Sequence, residues 1–234
     1  MSVFGGPDII TDGLVLHLDA ANRKSYPGSG TSWNDLSGNN KNGALYSASQ
    51  YNTNGWMTNG GNGSPSFTIV NSVSFNTNIS EGNTIEQFIY TNSMSGSGGM
   101  PFAFYLGSFD IWMYNNHFGI NNAASLIYGI TNATNIFIGK WVHYACYIPF
   151  NWSSNYSSSK LWINGISQSM SVRQGSFNTR TITASDNIGI GGGYNAENSF
   201  TFDGNISLTR IYNRELNNTE VLNNYNALKG RYGL

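Results

Sequence analysis

The chain has 234 residues, 10% charged and 14% aromatic, with eleven Lys and Arg against twelve Asp and Glu and a net charge of −1. Its charges are scattered singly, which excludes a basic nucleic-acid face or a polybasic membrane anchor, and no run of eighteen apolar residues exists to span a bilayer. The aromatic content supplies apolar bulk that disordered chains lack, and abundant Gly and Asn suit short strands joined by tight turns.

In chain order, residues 1–13 are punctuated by Gly and Pro and read as an arm, followed by one domain over 14–234. Leu14–Asp19 is the first strand, with Leu14, Leu16 and Leu18 on one face. A long loop, 20–43, is expected to anchor through Trp33 and Leu36. Short strands are predicted at Phe67–Val70 and Ser72–Phe75, then a clear one at Thr84–Tyr90. Four more follow closely at Pro101–Leu106, Phe109–Tyr114, His117–Ile120 and Ser125–Thr131, with Asn115-Asn116 as a tight turn.

Lys140–Phe150 is a long apolar strand whose alternation puts Val142, Tyr144, Cys146 and Ile148 on one face. Cys146 is the chain's one cysteine; that excludes an intrachain disulfide and predicts a packed core thiol. After a polar loop, 151–159, the run Lys160–Ile166 reads as a hairpin around Asn164-Gly165. Asp186–Gly191 is another strand. Phe202 to Thr209 alternates, with Phe202, Gly204, Ile206 and Leu208 on one face, until large Ile211 and Tyr212 break the phase.

Asn217 then caps a helix, with Glu220 three residues on and Leu216 and Val221 placed as a hydrophobic staple. Tyr225 and Leu228 continue its apolar face, and Gly230 is expected to end it. About a dozen short strands with one terminal helix predict an all-β, two-sheet antiparallel sandwich of jelly-roll type.

The residues Trp141-Val-His-Tyr144, Leu161-Trp-Ile-Asn-Gly165, Phe202-Asp-Gly-Asn-Ile206 and Ile211-Tyr-Asn-Arg214 with the closing helix resemble the laminin-G-like branch of the concanavalin A-like lectin/glucanase fold. The opening, Gly13 to Asn22, Ser25 to Trp33 and Asp35 to Asn39, is similar to laminin-G-like structural proteins of tailed bacteriophages of marine and cyanobacterial hosts. The resemblance covers both ends and about half the length; residues 50–130 diverge. It implies a two-sheet jelly roll acting as a binding or structural module.

A retaining glucanase needs two carboxyl groups about 5–5.5 Å apart. No predicted strand carries two acids, and the closest pair, Asp8 and Asp12, lies in the arm. His17, His117 and His143 have no serine elbow or metal-binding pattern beside them, so no catalytic residue is assigned and the chain is expected not to be an enzyme. Asp19, Asp35, Asp110, Asp186 and Asp203 are the carboxylates a calcium ion would use, without a spacing that commits any of them; no metal or cofactor is assigned. Asp203 is expected at a turn, accepting backbone N–H groups.

Trp112, Tyr114, Asn115, Asn116 and His117 form the most lectin-like cluster, an aromatic platform with amides around one turn. These readings combine into one expectation: a virion surface protein, a capsid decoration or knob with weak host-glycan binding. Its partners would be other virion proteins and host glycans, and neither nucleic acid nor membrane. A receptor-binding lectin of a tail fibre or baseplate is the alternative, with a glycan hydrolase behind it. Lacking an apolar leader at its start, the chain is expected to be made in the host cytoplasm; a homo-oligomer is left open.

Overall fold

A computed structural model describes residues 7–47, 50–61, 68–70, 82–94, 98–104, 109–122, 126–149, 152–175, 187–192 and 200–234. Along the chain the strands are β1 (Leu14–Asp19), β2 (Ser32–Trp33), β3 (Gly43–Leu45), β4 (Tyr51–Asn52), β5 (Trp56–Gly60), β6 (Thr68–Val70), β7 (Asn83–Thr91), β8 (Gly99–Phe104) and β9 (Asp110–Tyr114). They continue with β10 (His117–Asn122), β11 (Leu126–Thr131), β12 (Trp141–Ile148), β13 (Lys160–Ile163), β14 (Ile166–Gln168), β15 (Ser171–Gly175), β16 (Ile188–Ile190) and β17 (Asp203–Tyr212). The expected strand Ser72–Phe75, residue Phe67 and Asp186 lie outside the described residues.

Among the described residues, these strands form two antiparallel sheets. The first runs β14-β13-β12-β7-β17-β5-β4, and the second β15-β11-β10-β9-β8-β16-β6-β3-β2. One edge of β17 pairs with β7 along most of its length; the other is shared, with β5 against its start and β1 against its end. The inner faces meet in one apolar core that takes Leu16, Leu18, Ile85, Ile89, Tyr144, Cys146 and Ile211 from the first sheet. Phe102, Phe104, Ile111, Met113, Phe118 and Ile120 enter it from the second. The architecture is the all-β two-sheet sandwich with a short C-terminal helix that the sequence predicts.

One polar unit sits in that core. Tyr144 donates to Gln87 Oε1 at 2.5 Å, while Gln87 Nε2 donates to Thr209 Oγ1 at 2.8 Å and across the sandwich to the Pro101 carbonyl at 3.2 Å. Each buried polar group thus has a partner, which offsets the cost of removing it from water.

The alternation of β17 breaks earlier than expected. Its register shifts between Ile206 and Leu208, so Ser207 is a bulge. Past it, Thr209 faces the core partner Gln87 and Ile211 enters the core, while Arg210 and Tyr212 face outward. The bulge is held by its own bonds: the Ser207 carbonyl accepts from the Ala20 N–H at 2.8 Å, and its hydroxyl donates to the Gly55 carbonyl at 2.7 Å.

Helix α3 (Asn218–Leu228) lies on the outer face of the first sheet. The Asn217 side chain accepts from the Glu220 N–H at 3.0 Å, and the Glu220 carboxylate accepts from the Asn217 N–H at 2.8 Å. Leu216 and Val221 are both fully buried against Ala145, Trp162 and Tyr212. Gly230 does not end the helix: a 3-10 turn, Lys229–Tyr232, continues it to Gly233, whose φ of 71° makes the stop. That extra turn has a packing reason, because it lays Tyr232 flat on Phe88 with centroids 4.3 Å apart.

Two one-turn helices escape the sequence pattern, α1 (Ala133–Phe137) and α2 (Trp152–Asn155). Polar residues dominate the second, yet Trp152 is buried in the core and donates its indole N–H to Ser159 Oγ at 2.8 Å. Trp33 anchors the loop before β3 as expected and is fully buried; Leu36 is half-buried.

Candidate functional site

Strands β9 and β10 form a hairpin in the second sheet, pairing Tyr114 with His117, Trp112 with Gly119, and Asp110 with Asn121. Alternation sends Ile111, Met113, Phe118 and Ile120 into the core, so Asp110, Trp112, Tyr114, His117 and Asn121 project from the outer face. The turn residues Asn115 and Asn116 have φ of 46° and 63°, as a type I′ turn requires. All five sequence-predicted residues are therefore brought together.

Their surroundings differ. Trp112 is 8% exposed, set edge-on to Tyr114 and 4.9 Å from the Phe200 ring, within a small cluster that includes Met100, Ala103 and Ile127. Trp112 is therefore too buried to serve as an open platform. Tyr114 and His117 are half-buried, and Asn115 is exposed with no side-chain hydrogen bond among the described residues. Asn116 is engaged in the fold: its carbonyl and Oδ1 accept from the N–H groups of Ala133 and Thr134 at 3.1 and 2.9 Å.

Beyond Trp112 on the same face lies a polar pair, of which the sequence named Asp110 only as a possible calcium carboxylate and did not name Asn121. Asn121 Nδ2 donates to Asp110 Oδ2 at 3.1 Å, and both residues are buried. Burial pushes the Asp110 carboxyl well above the usual range, and the Asn121 bond offsets only part of this. Asp110 Oδ1, Trp112 Nε1 and His117 Nδ1 are buried without a hydrogen-bond partner. Next to them Gly119 pairs with Gly129, and the two strands approach so closely that a Cβ on Gly129 would lie 2.0 Å from the Phe118 carbonyl oxygen. Two bare positions thus adjoin Trp112. The readable signal for Asp110 is its spacing, two residues before Trp112 on one strand; Asn121 has no such signal, because its role depends on the pairing register.

Several other described acids have structural roles. Glu86 is fully buried under α3, where its carboxylate meets His143 Nε2 at 2.6 Å, Arg210 Nη1 at 3.2 Å and Asn224 Nδ2 at 3.2 Å. Burial alone would raise its pKa; the Arg210 charge and the His143 bond reverse that and hold the carboxyl below its ordinary value. Arg214 makes a forked pair with Glu220, and Glu215 pairs with Lys160. Asp19 binds Arg231, and Asp35 gathers its own loop through the N–H groups of His17, Ser37 and Lys41. Asp203 accepts from the side chains of Asn92 and Ser93 rather than from backbone N–H groups, because β17 has already begun there. Among the described residues no three His, Cys, Asp or Glu side chains converge as a metal would need. Burial pushes the Cys146 thiol up, as befits its place in the core.

A laminin G family model described as the concanavalin A-like lectin/glucanases superfamily matches residues 62–222. No curated protein sequence matches the chain. Among solved structures, it is similar to a Trypanosoma rangeli sialidase in complex with sialic acid, at 13% identity and a TM-score of 0.63, over 94% of this chain and 33% of that one. It is also similar to the binding domain of botulinum neurotoxin DC in complex with rat synaptotagmin II, at 14% identity and a TM-score of 0.61, over 94% and 52% of the two chains. A structure of botulinum neurotoxin type C, whose cell entry is described as dependent on interaction with two ganglioside molecules, matches at 13% identity and a TM-score of 0.60, again over 94% and 52%. The chain thus spans about a third of the sialidase and half of the toxin chains, and at these identities the likeness establishes the fold. It also corrects one expectation. The sequence reading that the protein is not an enzyme does not stand, because the structures that share its fold include sialidases.

Proposed function

The chain belongs to the concanavalin A-like lectin/glucanases superfamily, and from that premise we propose that it recognises glycans through the β9–β10 hairpin while displayed on the surface of a phage particle. One observation carries the binding half of this reading. Half-buried Tyr114 and His117 and the free amide of Asn115 share the outer face of the hairpin with three buried polar atoms, Asp110 Oδ1, Trp112 Nε1 and His117 Nδ1, that lack partners. Unsatisfied donors and acceptors beside aromatic rings are what a hydroxyl-rich ligand complements. The fold's neighbours support the same class of ligand, since their descriptions name sialic acid and gangliosides.

The location half rests on the resemblance of Gly13 to Asn22, Ser25 to Trp33 and Asp35 to Asn39 to phage structural proteins. On this reading the protein decorates the head, partnered by other virion proteins; the tail-tip lectin is its alternative.

Binding is tested by calorimetry against host-surface polysaccharide, with sugar release measured on the same samples. Tyr114→Ala combined with Asn115→Ala is expected to weaken binding at least tenfold, about 1.4 kcal/mol. Undiminished binding in this variant removes the hairpin from the site, and sugar release makes the protein a hydrolase. Antibody labelling of purified virions tests location: label on the head supports the decoration reading, and label at the tail tip or none on the particle overturns it.

A further inference from the structure

The outer face of the first sheet carries a second aromatic group, remote in the fold from the hairpin. Trp141, the first residue of β12, sits at its centre. The Trp56 ring lies 5.4 Å away, Tyr232 4.9 Å and Tyr90 5.8 Å, at interplanar angles between 46° and 65°. All four residues are half-buried. Neither tryptophan N–H is bonded among the described residues, and neither is among the buried orphans, so both indole edges are open to solvent.

The rings are held in place by the Ser207 bulge. Its hydroxyl donates to the carbonyl of Gly55, the residue before Trp56, and accepts from the Tyr232 hydroxyl at 3.0 Å. Gly55 has φ of 95°, and a Cβ there would fall 2.6 Å from that of Ala21, so this turn is pressed onto the end of β1 and fixes where Trp56 begins. On the same face Asn205 pairs with Thr58 on one side and Tyr90 on the other, and Tyr90 pairs with Trp141, making a continuous row across four strands. Thr58 donates to Asn205 Oδ1 at 3.0 Å, which leaves the Asn205 NH2 pointing at solvent beside the rings.

Charge decides what such a surface accepts. The acids on this face are engaged, Asp19 with Arg231, Glu86 with His143 and Arg210, and Asp203 with Asn92 and Ser93. Lys140, exposed beside Trp141, has no ion pair among the described residues. Half-buried aromatic rings, free N–H donors and an amide, with no free carboxylate among the described residues of this face, fit a ligand that offers C–H faces and hydroxyl oxygens and carries neutral or negative charge.

We infer that Trp141, Trp56, Tyr90 and Tyr232 form a saccharide-stacking site for a pyranose chain, distinct from the hairpin and independent of it. The indole faces pack on the ring C–H groups, while the indole N–H groups and the Asn205 amide donate to sugar hydroxyls.

The full chain is titrated with soluble polysaccharides, neutral (dextran, mannan, a β-glucan) and acidic (polysialic acid, alginate), followed by tryptophan fluorescence and calorimetry. At least one is expected to bind with a change in tryptophan emission. Trp56→Ala and Trp141→Ala should each weaken it at least tenfold, and Trp141→Phe should retain most of the affinity. If acidic chains bind, Lys140→Ala weakens them and spares neutral ones. Thermal unfolding confirms that each variant is folded; if Trp141→Ala is not, Trp56→Ala and Asn205→Ala decide. No binding across the panel, or equal binding by native protein and folded platform variants, overturns the inference. So does a change in oligomeric state, by light scattering, in place of a change in sugar affinity, since the face would then join copies of the chain. Tyr114→Ala with Asn115→Ala separates the sites: loss there with full binding by Trp56→Ala leaves the hairpin reading standing and this one refuted, and the converse leaves only the platform.

Discussion

His143 Nε2 and Glu86 Oε1 lie 2.6 Å apart with both side chains fully buried, on the sheet face that α3 covers. Arg210 and Asn224 complete the shell of the same carboxylate. Asn224 also donates to the Tyr212 hydroxyl and accepts from the Ile10 N–H, so one acid links two strands, the helix and the N-terminal segment.

Removing that acid leaves a buried guanidinium without its counter-charge. Glu86→Ala is expected to destabilise the protein by about 3–5 kcal/mol, the range for breaking one side of a buried pair. Glu86→Gln keeps the shape and part of the bonding and should cost less. Urea unfolding at pH 7 checks the order; equal stability of both variants with the native protein would show that the cluster carries no net energy.

Asp110 is the opposite case, a buried carboxyl with one amide donor and no cation partner among the described residues. Its folded pKa is raised, so its contribution to stability is greatest below the unfolded value and is lost as pH rises toward the folded one. At pH 7 the native state therefore bears a cost that an amide does not. Asp110→Asn should raise the urea midpoint at pH 7 and leave it unchanged or lower near pH 3. A lower midpoint at pH 7 would mean that the carboxyl has a stabilising partner.

The sandwich was legible because alternation is a local property: β1, β7, β9, β10 and β12 lie within about two residues of where apolar spacing places them. The capping box was legible for the same reason, since Asn217 and Glu220 are three residues apart. What alternation misses is anything set by register. The bulge at Ser207 is invisible in a run that alternates through it, and the two strands it leaves out of phase decide that Arg210, not Thr209, meets Glu86. The hairpin cluster was readable because one strand and its turn hold all five residues. The Trp141 group was not, since Trp56, Tyr90, Trp141 and Tyr232 come from three separate strands and the chain's last turn. Trp152, in a polar stretch, likewise gave no sign that it belongs to the core.

The capping box of α3 is a test of how far local bonds matter once tertiary packing is in place. Asn217→Ala removes the acceptor of the Glu220 N–H and should cost about 1 kcal/mol. For a chain of this size that is a fall of roughly 2–4 °C in the unfolding midpoint. Asn217→Asp should restore it. A loss much greater than this would mean that helix docking, rather than capping, depends on Asn217.

His17 makes the acid side of the stability profile. It is half-buried on β1, paired in register with Arg210, and has a pKa lowered to about 4, chiefly by burial and then by the Arg210 charge, against smaller opposing effects of Asp19, Glu86 and Asp35. A depressed folded pKa means that the unfolded chain binds the proton more tightly. Stability is therefore complete above about pH 6.5 and falls as pH drops toward 4, by on the order of 2–3 kcal/mol for this group. His17→Gln should flatten that segment of the profile while leaving the pH 7.5 value within about 1 kcal/mol of native. Urea unfolding of both proteins at half-unit steps between pH 4 and 7.5 measures the difference; parallel profiles would assign the acid sensitivity to the carboxylates instead.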